Sequence, residues 1–218
     1  MIKSFEKSLD PEAAFLSGLL DLQYGLKVTD KLSRLAPHVS WAKGWPHNLQ
    51  AFWNAEAFMW SRKIEKQHRD LIAKELGILK TGKNLDLGCG AYSYIPSVGF
   101  DVSPKMLDFN EQCYAKVIGD LEKKLPFKNQ EFASATAIFV LNYILNYQLL
   151  LPEIKRVLAP KGIFVAVLYN GEINDWQRQK EVNTFGKKEW KKILEEHGFK
   201  VKISEKAKLL FFHCFNCS

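Results

Sequence analysis

Between Phe52 and Leu76 the apolar positions fall at helical intervals. Phe52, Trp53, Phe58, Trp60, Ile64, Leu71, Ile72 and Leu76 line up, and Arg62, Lys63, Glu65, Lys66, Arg69 and Asp70 fill most of the gaps. Glu65–Arg69 and Asp70–Lys74 are acid-first pairs one turn apart, a spacing that supports a helix. Upstream, Pro37, Gly44 and Pro46 break the chain, so an earlier helix is expected to end near Leu35. Gly77 and Gly82 close the helical region, and nothing before about residue 80 alternates like a strand.

From residue 83 the rhythm changes. Asn84–Leu87, Val98–Asp101, Lys116–Gly119, Ser134–Val140 and Ile163–Leu168 read as short buried strands. Pro104–Cys113, Gln148–Leu158 and Lys187–His197 read as helices between or after them. Such alternation predicts an α/β fold, a doubly wound parallel sheet with helices on both faces. At the end of the chain, Val201–Ser204 and Leu209–Phe215 are joined too closely for a helical crossover, which predicts an antiparallel pair. Two parts are therefore expected: a helical extension over residues 1–80 and a sheet domain over 81–218.

Composition narrows the classes that remain. With 47% hydrophobic and 25% charged residues in 218, the chain is an ordinary globular one, neither disordered, collagen-like nor coiled-coil. The uncharged stretch Phe132–Pro152 is interrupted by Ser134, Asn142, Tyr143, Asn146 and Gln148, so no membrane span is expected. The start, MIKSFEKSLD, has no apolar run behind its lysines, which predicts no secretory signal and a cytoplasmic protein. The net charge of +7 is spread: 13 basic residues against 9 acidic up to Lys83, and 18 against 15 beyond. Lys187, Lys188, Lys191 and Lys192 read as the wet face of a helix rather than a nucleic-acid stripe. Cys89, Cys113, Cys214 and Cys217 are too few and scattered for a disulfide framework. Cys214-x-x-Cys217 beside His213 lacks a second Cys/His pair, so no metal site is expected.

Chemistry concentrates at three successive strand ends. Asn-Leu-Asp-Leu-Gly-Cys-Gly at 84–90 closes the first strand in a glycine turn, where a doubly wound sheet receives a nucleotide. Gly88 and Gly90 let backbone approach a ligand with no Cβ in the way. Asp101, ending the second strand, offers only acceptors, which suits the two donors of a ribose diol. Gly119-Asp120 ends the third strand with a second carboxylate, placed to accept from an exocyclic amine.

Over about residues 83–215 this order of motifs resembles the class I S-adenosylmethionine-dependent methyltransferases. Leu-Asp-Leu-Gly-Cys-Gly is similar to their first motif, Gly-Phe-Asp-Val-Ser-Pro-Lys-Met-Leu to their second, and Gly-Asp-Leu-Glu-Lys-Lys-Leu-Pro-Phe at 119–127 to the adenine-recognition segment. The resemblance implies a Rossmann-like seven-stranded sheet, mostly parallel with a C-terminal antiparallel hairpin, and S-adenosyl-L-methionine as cofactor. It implies that Gly88, Cys89 and Gly90 shape the turn against the methionine moiety and that Asp86 braces it. Asp101 would hold the ribose, Val102 would pack on adenine, and Asp120 and the Leu121 amide would meet the adenine edge. The segment from Phe139 to Asn142 and Tyr143 would face the methyl group; Asn142 and Tyr143 are the catalytic candidates, and no general base is evident among them.

Two features depart from the family pattern. Tyr92 stands where a third glycine is usual, and the eleven positions from Gly90 to Asp101 leave room only for a very short helix. A sulfonium cofactor, cationic and without pyrophosphate, needs a helix N-terminus less than a dinucleotide does. A nicotinamide cofactor is disfavoured, because Ser93 replaces the third glycine of Gly-x-Gly-x-x-Gly and Asp101 comes too early. Trp41, Trp45, His47, Trp53 and Trp60, with the insertion Tyr169–Gly186 carrying Trp176 and Arg178, either roof the acceptor or pack the helices. The expected activity is methyl transfer to a small molecule by direct displacement. The alternatives are an RNA or tRNA methyltransferase and a non-catalytic cofactor-binding partner subunit.

Overall fold

The computed structural model describes residues 10–79, 82–171, 178 and 180–216, the side chains of 60–63 excepted. The chain divides into two compact units, Met1–Lys63 and Ile64–Ser218. The expected boundary at 80/81 thus falls inside the second unit, because the helix before it packs with the sheet.

In the first unit, α1 (Pro11–Gln23) starts on Asp10, whose carboxylate accepts from the Ala13 amide at 3.3 Å, with Pro11 at the first helical position. α2 (Thr29–Leu35) runs into a 3₁₀ turn at Ala36–His38, and α3 spans Leu49–Lys63. Phe15 is the hub: Trp41 and Trp45 meet it edge-on at 5.5 and 5.6 Å, and Phe58 lies 5.1 Å from Trp41. The Trp41 indole donates to Glu12 at 2.8 Å, and Asn54 donates to the Trp41 carbonyl at 2.9 Å. Trp41 and Trp45 thus serve the interior of their own unit.

The second unit opens with α4 (Lys66–Glu75) and a 3₁₀ turn at Leu76–Leu79. The single periodic run read in the sequence is therefore two helices. The chain straightens at Glu65, and Leu71, Ile72 and Leu76 join a different apolar cluster from the one around Phe15. Seven strands follow: β1 (Asn84–Leu87), β2 (Ser97–Asp101), β3 (Cys113–Ile118), β4 (Phe132–Ile138), β5 (Leu158–Tyr169), β6 (Phe199–Lys206) and β7 (Leu209–Asn216). Their order in the sheet is β3-β2-β1-β4-β5-β7-β6. The first five run parallel, and β7 lies antiparallel between β5 and β6. This is the doubly wound, seven-stranded arrangement expected, terminal hairpin included.

α6 (Tyr147–Val157) and α7 (Lys187–Glu196) bury Leu150, Leu151, Ile154, Trp190 and Leu194 on one face against Leu85, Leu87, Phe132 and Phe164. α4 covers the other face, where Ile72, Leu76 and Leu79 meet Ile95, Ile138, Val165 and Phe211. The expected strand Ser134–Val140 begins two residues earlier and ends at Ile138. α5 (Pro104–Phe109) stops short of the expected Cys113, because Asn110 turns out of the helix and its side-chain oxygen accepts from the Gln112 amide at 3.2 Å.

β1 alternates in an unusual way. Leu85 and Leu87 enter the apolar cluster, whereas Asn84 and Asp86 point into a buried polar layer. There Asn84 donates to Ser97 at 2.8 Å and to Thr136 at 3.3 Å, and accepts from Ser134 at 2.9 Å. No helix links β1 to β2: residues 88–96 cross as an irregular loop whose Ile95 tucks beneath α4. Even the very short helix expected there is absent.

Candidate functional site

Backbone hydrogen bonds tie the carboxyl ends of three neighbouring strands together. The Gly88 and Cys89 amides donate to the Phe100 carbonyl at 2.7 and 3.3 Å, and the Gly119 amide donates to the Asp101 carbonyl at 2.9 Å. Gly88 and Gly90 have φ of +61° and +57°, left-handed values that disfavour a side chain. A Cβ at Gly88 would also sit 2.8 Å from Val140 Cγ2, which follows β4. At Gly119, a Cβ would run into the Phe100 ring.

Asp101 is the polar centre of this cleft. Its Oδ2 accepts from the Gly90 amide at 2.9 Å and its Oδ1 from the Ser103 amide at 2.8 Å. The carboxylate keeps acceptor capacity beyond these amides. Burial raises its pKa to about 6, against the lowering pull of the Ser103, Gly90 and Val102 amides.

Asp86 ties the loop after β1 to β4. Ser93 donates to one oxygen at 2.5 Å and Thr136 to the other at 2.7 Å. It too is pushed up to about 6 by burial, opposed by those two hydroxyls. Asn110 completes the support: its side-chain amide donates to the Gly90 carbonyl and to Ser93 Oγ at 3.0 Å each, and to the Cys89 carbonyl at 3.3 Å. Asn110 has no exposed surface, so the glycine turn rests on a fixed clamp. No spacing in the sequence separates this Asn from an ordinary helix-ending one. The Cys89 thiol hydrogen-bonds to Cys113, both packed against Leu107.

Other expected residues are placed less uniformly. Leu121 is buried at the rim beside Gly88, and Val102 is half-buried next to Asp101. Asp120 is turned inward on its own loop, where Oδ1 accepts from the Glu122 amide at 2.9 Å and Oδ2 lies 3.7 Å from Lys123 Nζ. Phe139 follows β4 with φ of +58°, its amide held by the Val167 carbonyl at 2.8 Å. Its ring packs partly buried with the cluster under α4. Asn142 and Tyr143 occupy a 3₁₀ turn, Leu141–Tyr143, just beyond Val140. Tyr92 lies against Tyr94 at 5.2 Å, with the Arg69 guanidinium 5.6 Å above its ring. Trp176, Cys217 and the Trp60 side chain lie outside the described residues.

Residues 85–166 match a family described as a methyltransferase domain. The matched stretch runs from β1 into β5, the parallel part of the sheet. Demethylmenaquinone methyltransferase of Staphylococcus aureus is 26% identical over 179 residues, covering 62% of this chain and 74% of its own length. Among solved structures, a chain from a complex of the Haloferax volcanii Trm112 methyltransferase activator superposes with a TM-score of 0.64 at 16% identity. It covers 76% of this chain and 98% of its own. A SAM-dependent methyltransferase from Thermotoga maritima gives 0.61 at 15% identity, covering 77% and 100%. At such identities the superpositions speak for the fold alone. Among the described residues, no helix is long and apolar enough to cross a membrane.

The residues present suit S-adenosylmethionine, the cofactor that the resemblance implies. The cradle at Gly88 has no room for a Cβ, and a carboxylate with spare acceptor capacity stands on the adjacent strand end. A loop rather than a helix N-terminus faces the cleft, which matches a ligand without phosphate.

Proposed function

We propose that this chain binds S-adenosylmethionine through Gly88, Gly90, Asp101 and the 119–121 turn, and directs its methyl group to a small-molecule acceptor. The observation that carries the reading is the joining of the three strand ends: Phe100 and Asp101 hold Gly88, Cys89, Gly90 and Gly119 in one network. The bound cofactor supplies an activated methyl group on a sulfonium, so the protein's task is alignment and exclusion of water. Asp101 accepts the ribose hydroxyls, Asp86 and Asn110 hold the turn rigid, and Val140 fixes the distance between that turn and the segment after β4. The small-molecule reading is supported by the name of the Staphylococcus aureus relative, and by the lack of the Asn/Asp-Pro-Pro-Tyr signature after β4.

Calorimetry with S-adenosylmethionine and S-adenosylhomocysteine tests the cofactor. Transfer of labelled methyl into a cell extract, split into small-molecule and RNA fractions, tests the acceptor. Label in the small-molecule fraction is expected. Label confined to RNA would make this an RNA enzyme, and label in neither fraction despite tight binding would make it a non-catalytic subunit.

A further inference from the structure

The insertion after β5 returns to the sheet and is sewn onto the turn after β4. The Val182 and Asn183 amides both donate to the Asn142 backbone carbonyl, at 2.9 and 3.3 Å. The Asn183 side-chain amide donates to the Leu141 and Ile144 carbonyls at 3.0 and 3.1 Å. The Asn142 side-chain amide donates to Glu181 Oε1 at 2.9 Å. These contacts fix both amide orientations, because either one reversed would set oxygen against oxygen. What remains is one-sided: Asn142 Oδ1 and Asn183 Oδ1 are buried and receive no donor among the described residues. A buried acceptor left unpaired is costly, and a donor O–H or N–H that reaches it recovers that cost. Three side-chain acceptors, one of them a carboxylate, therefore gather around the turn that follows Val140, the residue that packs against Gly88.

We propose that Glu181 is the general base of the reaction and that the acceptor is a small molecule presenting a hydroxyl or N–H group to it. This rests on the methyl-transfer reading above. A Glu181 oxygen takes the proton of that O–H or N–H, and the electron pair so released forms the new bond to the methyl carbon. The carbon–sulfur bond breaks with its electrons staying on sulfur, which leaves a neutral thioether. Asn142 is a positioning residue: its amide holds Oε1 and so aims the other carboxylate oxygen. A second carboxylate touches the same stretch of chain, since Glu122 accepts from the Leu145 amide at 2.7 Å, and it serves as the control.

The test uses the full chain, tritium-labelled S-adenosylmethionine and the small-molecule fraction of a cell extract. Glu181→Gln keeps an oxygen for Asn142 and removes only the base. Its labelling rate should fall on the order of 10²–10⁴-fold, with cofactor affinity and melting temperature unchanged. Glu181→Ala should fall similarly and regain labelling on addition of formate. Asn142→Ala should lower the rate less, and formate should not restore it. Glu122→Gln should stay within about threefold of wild type, well short of the span expected for lost base catalysis.

A Glu181→Gln rate within threefold of wild type, lost cofactor affinity in that variant, or no formate rescue of Glu181→Ala would each overturn the proposal. So would a labelled product whose parent compound has no O–H or N–H. A wild-type chain that binds cofactor yet labels nothing would instead sink the methyl-transfer reading itself, which separates the two failures.

Discussion

At Asp101 backbone amides already hold the carboxylate in place, so a ribose diol meets a group that needs no reorganisation. Removing it in Asp101→Ala should weaken S-adenosylmethionine binding by a few kcal/mol, from two charge-assisted hydrogen bonds of about 1.5–3 kcal/mol each. Titration calorimetry checks this, and an unchanged isotherm would take Asp101 out of the site. The pH dependence has a definite sign. The pKa of about 6 lies above the ordinary 3.8, so the free protein protonates Asp101 as pH falls through 6. Ribose hydroxyls favour the ionised form, so affinity should be flat above pH 7 and should weaken below 6, by roughly tenfold per unit while one group titrates. Asn110→Ala is expected to loosen the glycine turn, costing about 2 kcal/mol of stability in urea unfolding as well as cofactor affinity. The glycines and Asp101 were legible in the sequence because a turn without Cβ and an acceptor-only side chain have few other uses at strand ends. Asn110, Ser93 and Glu181 were not. Their roles come from contacts 7 to 39 residues apart, which no local pattern encodes.

Among the elements, the loop from Gly119 to Glu131 depends on one helix. Arg156 of α6 pairs with Glu153 at 2.7 Å and donates to the Leu125 and Phe127 carbonyls and to Asn129, while Glu153 accepts from the Leu125 amide. The contact with Arg156 holds the Glu153 carboxyl below its usual range, and raises the already high pKa of Arg156. Both side chains keep some exposure, so the loss is smaller than for a dry ion pair. Arg156→Met should cost about 2 kcal/mol in urea unfolding and speed amide exchange over residues 125–130. Unchanged exchange there would show that the loop stands without α6. Strands, hairpin and covering helices were readable from runs of apolar residues. The split of the long N-terminal run into α3 and α4 was not, because periodicity reports a buried face but not which core it enters.

For the molecule as a whole, cofactor binding and stability are linked. A ligand at about 100 times its Kd adds roughly 2.7 kcal/mol, which for a chain of this size raises the melting temperature by about 5–10 °C. Differential scanning fluorimetry with S-adenosylmethionine and with NAD distinguishes the cofactors, and only the former should shift the transition. The polar layer beneath β1 has a different reach. Parallel strands of similar hydrocarbon surface are nearly interchangeable neighbours, and little in Leu, Val or Ile tells one slot from another. Asn84 and Asp86 need the hydroxyls of Ser97, Ser134 and Thr136, supplied only when β1 lies between β2 and β4 in this register. A slip by one residue would strand an amide and a carboxylate in oil. The side chains beneath the cleft therefore work as an address label, admitting β1 to the middle of the sheet and rejecting every misthreaded arrangement before a ligand is ever met.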